Sequence, residues 1–344
     1  MAGIILCGGQ FLLPSVTSII TDTNEFSTYF IPNMVNRPES IKARIETEAE
    51  STIDLTSDEG ILSSSRSLVH GIATHLQNPH GAGSFTPAIY GTAWLSMIVK
   101  ETDGAKRLLF PRCFTYILEQ QQVSGAWESY NSPIDGILNS LAALLSMVKY
   151  TKHNLCYPIK LVFIRSRIDR AKPAISSLLN GWDVSSTRHV GFEMLVPSLL
   201  EQLEREGFPF DFLQRETLNS LHRRKIAKFP AELLYGIKST TLLHSLEALV
   251  GNIDFDRVRH HLTGGSMLGS PSSTAAYLMY SSEWDTQAED YLSRVEDQKY
   301  MGGIPSAFPS SIFESSWVHT SQYIYKQVSH AYRHSRRFFL TASR

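Results

Sequence analysis

The sequence predicts an all-α protein. Apolar residues recur at helical spacing from about residue 84 onward, no stretch keeps the two-residue alternation of a half-buried strand, and the apolar stripes are wide enough that the helices must pack on one another. In ILNSLAALLSMVKY the stripe is Ile137, Leu141, Leu144, Leu145 and Val148. In VGFEMLVPSLLEQLEREG it is Phe192, Leu195, Val196, Leu199, Leu200 and Leu203, with Gly207 where a helix C-cap is wanted. In TTLLHSLEALVG it is Leu242, Leu243, Leu246 and Leu249, closed by Gly251. Between these runs lie short loops rich in Gly, Pro and Ser. Two of them share a pattern: QQVSGAW, with Gln121, Gly125 and Trp127, and HLTGGSMLGSPSSTAAYLMY, with Gly264, Gly265, Ser266 and Pro271. A glycine permits a tight turn, a large apolar residue after it plugs the gap, and a Gln can bond freed backbone at a neighbouring helix end. They read either as a repeated helix-to-helix corner or as two unrelated turns. Ser272 or Ser273 is expected to cap the helix after the second.

Composition narrows the function. The 344 residues are 42% hydrophobic and 19% charged, which are globular values and exclude wholesale disorder. The 32 Lys and Arg against 33 Asp and Glu give a net charge of −1, so no basic field draws in nucleic acid. No apolar run approaches the ~20 residues of a spanning helix. The start, MAGIILCGGQ, lacks the cationic region of a secretory signal. Cys7, Cys113 and Cys156 are too few and too scattered for a disulfide framework or a zinc cluster, so a reducing, cytoplasmic setting is expected. Residues 1–83 are polar and weakly patterned and read as a loosely ordered leader.

Several charged strings invite chemistry and have plainer readings. Asp254 and Asp256 in IDFDR lie beside Arg257 and read as exposed acids at a helix start. The run His222–Lys225 could bind a diphosphate, but no phosphate-cradling glycines accompany it, and a solvated helix face is expected. His260 and His261 are adjacent and diverge on a helix, so they do not form a metal site. No metal ligands are assigned.

Blocks of the chain, in order, resemble class II diterpene cyclases of the copalyl diphosphate synthase type, including the fungal bifunctional enzymes. TPAIYGTAWLSMI is similar to their "SxYDTAW" segment and QQVSGAW to their "QxxDGSW" corner. VGFEMLVPSLLE, TTLLHSLEALVG, SPSSTAAYLMY and GGIPSAFPSSIFESSW follow with family-like spacing over about residues 84–318. The resemblance implies an α/α double-barrel fold. Residues 84–104 would be the first helix of the β domain, 105–300 the γ domain, 301–318 the re-entry into β, and 319–344 a divergent basic tail. It also implies proton-initiated cyclisation of geranylgeranyl diphosphate to a labdane diphosphate, with Mg²⁺ as the associated ion.

Protonating an isolated alkene needs a carboxylic acid kept protonated in a water-excluding site. The family supplies it as "DxDD", and no such string occurs in these 344 residues, so no general acid is assigned. After Val318 the family pattern stops, and the tail carries His319, Lys326, His330, Arg333, His334, Arg336, Arg337 and Arg344 without an acid. It reads either as a basic, anion-binding surface segment or as the product of a shifted frame or retained intron. The expectation is a truncated relative, inactive alone. The resemblance further implies that His244 stands where plant relatives hold a catalytic water, and that Ser306 replaces the partner Asn. Gly91 replaces the Asp of "YDTAW", and Met267 an aromatic residue at the second corner. With most β helices absent, the first β helix (Trp94, Leu95, Met97, Ile98) is expected to form an exposed seam. A non-enzymatic module that associates through this seam with another terpene synthase is the alternative.

Overall fold

A computed structural model describes residues 86–311, except 130–131, 153–154, 156–160 and 297–300, together with Ser63. The rest of the leader, Cys7, Cys156, the end of the FESSW block and the basic tail lie outside the described residues. The described residues from 86 onward belong to one compact unit built mostly of helices.

Helix α1 (Ile89–Ser96) leads into an antiparallel hairpin, β1 (Val99–Thr102) and β2 (Ala105–Leu108). The hairpin corrects the expectation of no strands. Its strands are too charged to show alternation, but Asp103 and Gly104, both at positive φ (53° and 71°), form the Asp-Gly turn that favours a two-residue hairpin. Then come α2 (Pro111–Glu119), α3 (Pro133–Lys152), α4 (Leu161–Asn180), α5 (Phe192–Arg205), α6 (Arg215–Ile226) and the short α7 (Glu232–Tyr235). Two 3₁₀ segments, Thr241–Leu249 and Phe255–His261, precede α8 (Pro271–Tyr280) and α9 (Thr286–Glu296). Pro111, Pro133 and Pro271 each open a helix, where the missing N–H costs nothing. Gly207 ends α5 as expected. At φ 88° it lets Phe208 N–H donate back to Leu203 O at 2.8 Å.

Helix α3 is buried along nearly its whole length and packs on α1, α4 and α5. Helix α1 is apolar on all sides and packs on α2, α3 and α8. Trp94, Leu95 and Ile98 are 0% exposed and Met97 is 4% exposed, which corrects the expected exposed seam. The helix has no bare face because three helices and the 304 segment surround it. Ala88 N–H donates to Ile304 O at 2.7 Å, and Ile304 N–H to Thr92 Oγ1 at 3.0 Å.

The two sequence corners are one device, and the structure adds a third. At the first, Gln121 Nε2 donates to Gly125 O (2.8 Å) and to Arg167 O of α4 (3.0 Å). Trp127, fully buried, donates its indole N–H to Ile117 O at 2.8 Å. Gly125 has φ 95°, and an added Cβ would overlap the Arg170 carbonyl, its carbon only 2.8 Å away. Gly265 (φ 82°) presses in the same way on Gln287 at the start of α9, and Gly302 (φ 102°) on Arg112 at the start of α2. Two residues after each glycine stands a fully buried plug: Trp127, Met267 and Ile304. Met in place of an aromatic is thus tolerated, as its adaptable side chain permits. The third corner packs the 302–304 segment against α2 and α1.

Candidate functional site

The segment Thr241–Leu249 is not the regular helix its stripe predicts. It is a 3₁₀ segment bent at Ser245 (φ −141°, ψ 37°). His244 lies just before the bend, half-buried, and its Nδ1 sits 3.1 Å from Leu268 O. A carbonyl only accepts, so Nδ1 carries the proton in this contact. Leu268 and Gly269, at φ 50° and 70°, form the centre of a tight turn in which Ser270 N–H donates to Met267 O. The other side of that turn receives Phe308, whose N–H donates to Gly269 O at 2.9 Å. Ser306 is half-buried two residues earlier. His244 and the segment bearing Ser306 are therefore tied to adjacent residues of one turn. No hydrogen bond joins the two side chains directly among the described residues.

Beyond the bend lies a residue that sequence reasoning passed over. Glu247 is 2% exposed. Its Oε1 accepts from Ser272 Oγ (2.9 Å) and Tyr90 OH (3.3 Å), and its Oε2 from Ser273 Oγ (2.7 Å). Its backbone carbonyl accepts from Ser198 Oγ of α5 at 3.3 Å. Three helices, α1, α5 and α8, thus converge on one residue. Burial pushes the carboxyl up, and the Ser273 and Ser272 hydroxyls and the nearby His244 offset this only in part. Burial and the Glu247 charge push the Tyr90 phenol up as well. All three partners are hydroxyls able to donate, so a carboxylate here is satisfied without a cation. The signal was a lone acid inside the apolar run LEALV. Such a residue is seldom fully buried unless it is bonded.

Ser270, not Ser272 or Ser273, caps α8, accepting from Ser273 N–H at 3.3 Å. That leaves the Ser272 and Ser273 hydroxyls free to face Glu247. Gly91 is buried, and the nearest atoms to a Cβ there would be the Ile304 side chain at 3.5 Å and Pro305 O at 3.8 Å, ordinary van der Waals contacts.

The charged strings divide: Asp254 and Asp256 keep their plain reading, whereas the run His222–Lys225 is only partly solvated, with His222 and Lys225 half-buried, and the rings of His260 and His261 do not diverge, their centroids lying 4.0 Å apart. Asp254 caps the 3₁₀ segment Phe255–His261 through Asp256 N–H, and both acids are exposed. In α6, Arg223 pairs with Glu216 (2.6 Å) and Lys225 with Glu193 (2.8 Å). His260 and His261 each place Nε2 2.9 Å from a backbone carbonyl, Gly236 O and Leu234 O. Among the described residues no group of three or more His, Cys, Asp or Glu could hold a metal, so the Mg²⁺ implied by resemblance finds no ligand set there. Among them, too, no helix is long and apolar enough to cross a membrane.

No family model matches the chain. It is 48% identical over 262 residues to a copalyl diphosphate synthase of Talaromyces verruculosus, a match that covers 74% of the chain and 27% of that relative. Among solved structures, abietadiene synthase from Abies grandis superposes with a TM-score of 0.61 at 25% identity, covering 76% of the chain and 33% of that protein. The ent-copalyl diphosphate synthase of Arabidopsis thaliana does so with a TM-score of 0.57 at 28% identity, covering 74% and 35%. The chain spans about a quarter of the length of the curated relatives it matches. In sequence and in its α/α-barrel fold, the chain is a homologue of the fungal copalyl diphosphate synthases and related diterpene cyclases.

Proposed function

We propose that these residues form the γ barrel of a class II diterpene cyclase together with the first β helix. In this reading residues 84–104 open the β domain, 105–300 form γ, and 301–318 re-enter β. The observation that carries it is the 48% identity to a copalyl diphosphate synthase over 262 residues. The substrate is geranylgeranyl diphosphate and the product class a labdane diphosphate.

The roles follow from the chemistry. Ring closure leaves a carbocation that must lose a proton to a base or to a water that a base holds. His244 is that base position. Its Nδ1–H is committed to Leu268 O, so in the neutral ring Nε2 keeps the lone pair. Ser306, tied to the same turn through Phe308, offers a hydroxyl as the second water contact. The proton donor that starts the reaction is not supplied here, because the 344 residues contain no Asp-x-Asp-Asp string. Glu247 cannot substitute for it, since its carboxyl is occupied by Tyr90, Ser272 and Ser273.

The test is incubation of the purified chain with geranylgeranyl diphosphate and Mg²⁺, followed by dephosphorylation and a search for a labdane alcohol. No alcohol is expected from these residues alone. A labdane product would show that a donor exists outside the family string and would overturn the assignment of an incomplete catalyst.

A further inference from the structure

A bend with one residue outside helical φ/ψ has no continuous hydrogen-bond ladder to stiffen it, so its angle depends on what grips each side. Behind the bend at Ser245 the grip is Glu247, held by Tyr90 of α1 and by Ser272 and Ser273 of α8. In front it is the contact of His244 Nδ1 with Leu268 O. Both grips end on one short stretch of chain. Ser270, the last residue of the Leu268 turn, places its Oγ 3.2 Å from Ser272 Oγ, and Leu246 N–H donates to Ser273 Oγ at 3.0 Å. His244, the turn, the serines and Glu247 thus form a closed ring of contacts around the bend.

We propose that Glu247 is a positioning residue for His244: gripped by three hydroxyls, it fixes the bend so that His244 keeps its Nδ1–H on Leu268 O and presents Nε2 as an unoccupied base. Among the described residues Nε2 has no hydrogen-bond partner, as a group that is to meet a water or substrate requires. This deepens the reading of His244 as the water-holding base and rests on it. The ring's tautomer, however, can be read without turnover.

The experiment uses the full 344-residue chain with ¹⁵N-labelled histidine at about pH 8.5, above the ordinary histidine range. Long-range proton–nitrogen spectra report which ring nitrogen carries the proton, and His244→Gln assigns the signal. The wild type should show His244 with the proton on Nδ1. In Glu247→Gln, whose amide turns a donor toward the serine hydroxyls, the ratio of Nδ1–H to Nε2–H tautomer should fall about fivefold, the worth of one ordinary hydrogen bond of about 1 kcal/mol. Ser273→Ala removes one hydroxyl and little volume, and should lower the ratio in the same direction if Glu247→Gln does not fold. A folded Glu247→Gln or Ser273→Ala chain with an unchanged ratio overturns the proposal, as does a wild-type ring protonated on Nε2. A labdane product from the chain would count against the incomplete-catalyst reading and not against His244 as base, and the tautomer ratio would still decide the role of Glu247. An unchanged tautomer would count against Glu247 alone.

Discussion

Substituting Gly125 by alanine separates backbone strain from packing. Gly125 and Gly207 have nearly the same backbone, φ 95° and 88°, but different neighbours. Around Gly207 an added methyl meets nothing within 4 Å, whereas at Gly125 it overlaps the Arg170 carbonyl. Gly207→Ala should therefore cost only the left-handed penalty, about 1–2 kcal/mol. Gly125→Ala carries that penalty plus an overlap with helix backbone worth about 1–3 kcal/mol. It also endangers the Gln121 bonds to Gly125 O and Arg167 O, at about 1 kcal/mol each. The sum is about 4–7 kcal/mol, a large part of a stability of about 5–15 kcal/mol. Urea unfolding followed by circular dichroism measures both variants. With slopes of about 1–3 kcal/mol/M, Gly125→Ala should unfold at least about 1 M earlier than Gly207→Ala. Equal midpoints would refute the close packing of the corner on α4.

Trp127→Phe should cost about 1–3 kcal/mol, because it orphans the buried Ile117 carbonyl; a thermal midpoint equal to wild type would argue against this. The carboxyl of Glu247 is raised by burial, so its stabilising contribution is whole below its unfolded value of 4.5 and is lost as pH rises through the folded value. Glu247→Gln should flatten unfolding midpoints across that window, and an unaltered pH slope would contradict the assignment. Asp285 behaves oppositely. Burial pushes it up, but the Ala288 N–H, the Tyr277 hydroxyl, the Arg259 guanidinium and the Gln287 N–H together hold it below 3.8. Its contribution is present above 3.8 and lost as pH falls through the folded value, so Asp285→Asn should remove that acid-side loss. It should also cost about 1–2 kcal/mol at neutral pH, as a lost helix cap does, and an unchanged acid limb would count against it.

The helices were legible where apolar residues recur at helical spacing. The stripe of α3 falls on buried residues, that of α5 does so except for half-buried Leu195, and Gly207 caps as its position suggests. The third corner was not legible, since Ile304 carries none of the bulk that marks Trp127, even though α9 before it has a stripe of Ala288, Tyr291, Leu292 and Val295. The burial of α1 was misjudged because sequence spacing cannot show that residues 302–308 fold back onto it. The bend at Ser245 was hidden for a related reason: a leucine stripe looks alike whether the turns are α or 3₁₀. His244 could be picked out only through resemblance. Glu247 could have been found from polarity alone, as an acid stranded among leucines and opposed by a run of serines.

The hydrogen bond from Ile304 to Thr92 spans 212 positions of sequence. At about 5–20 residues synthesised per second, roughly 10–40 s pass on the ribosome before Trp94 and its neighbours can acquire this cover. For that interval this strongly apolar helix of the nascent chain has no final shelter. Expression yield should then respond to chaperone supply and translation speed more than the thermodynamics of the finished fold would suggest.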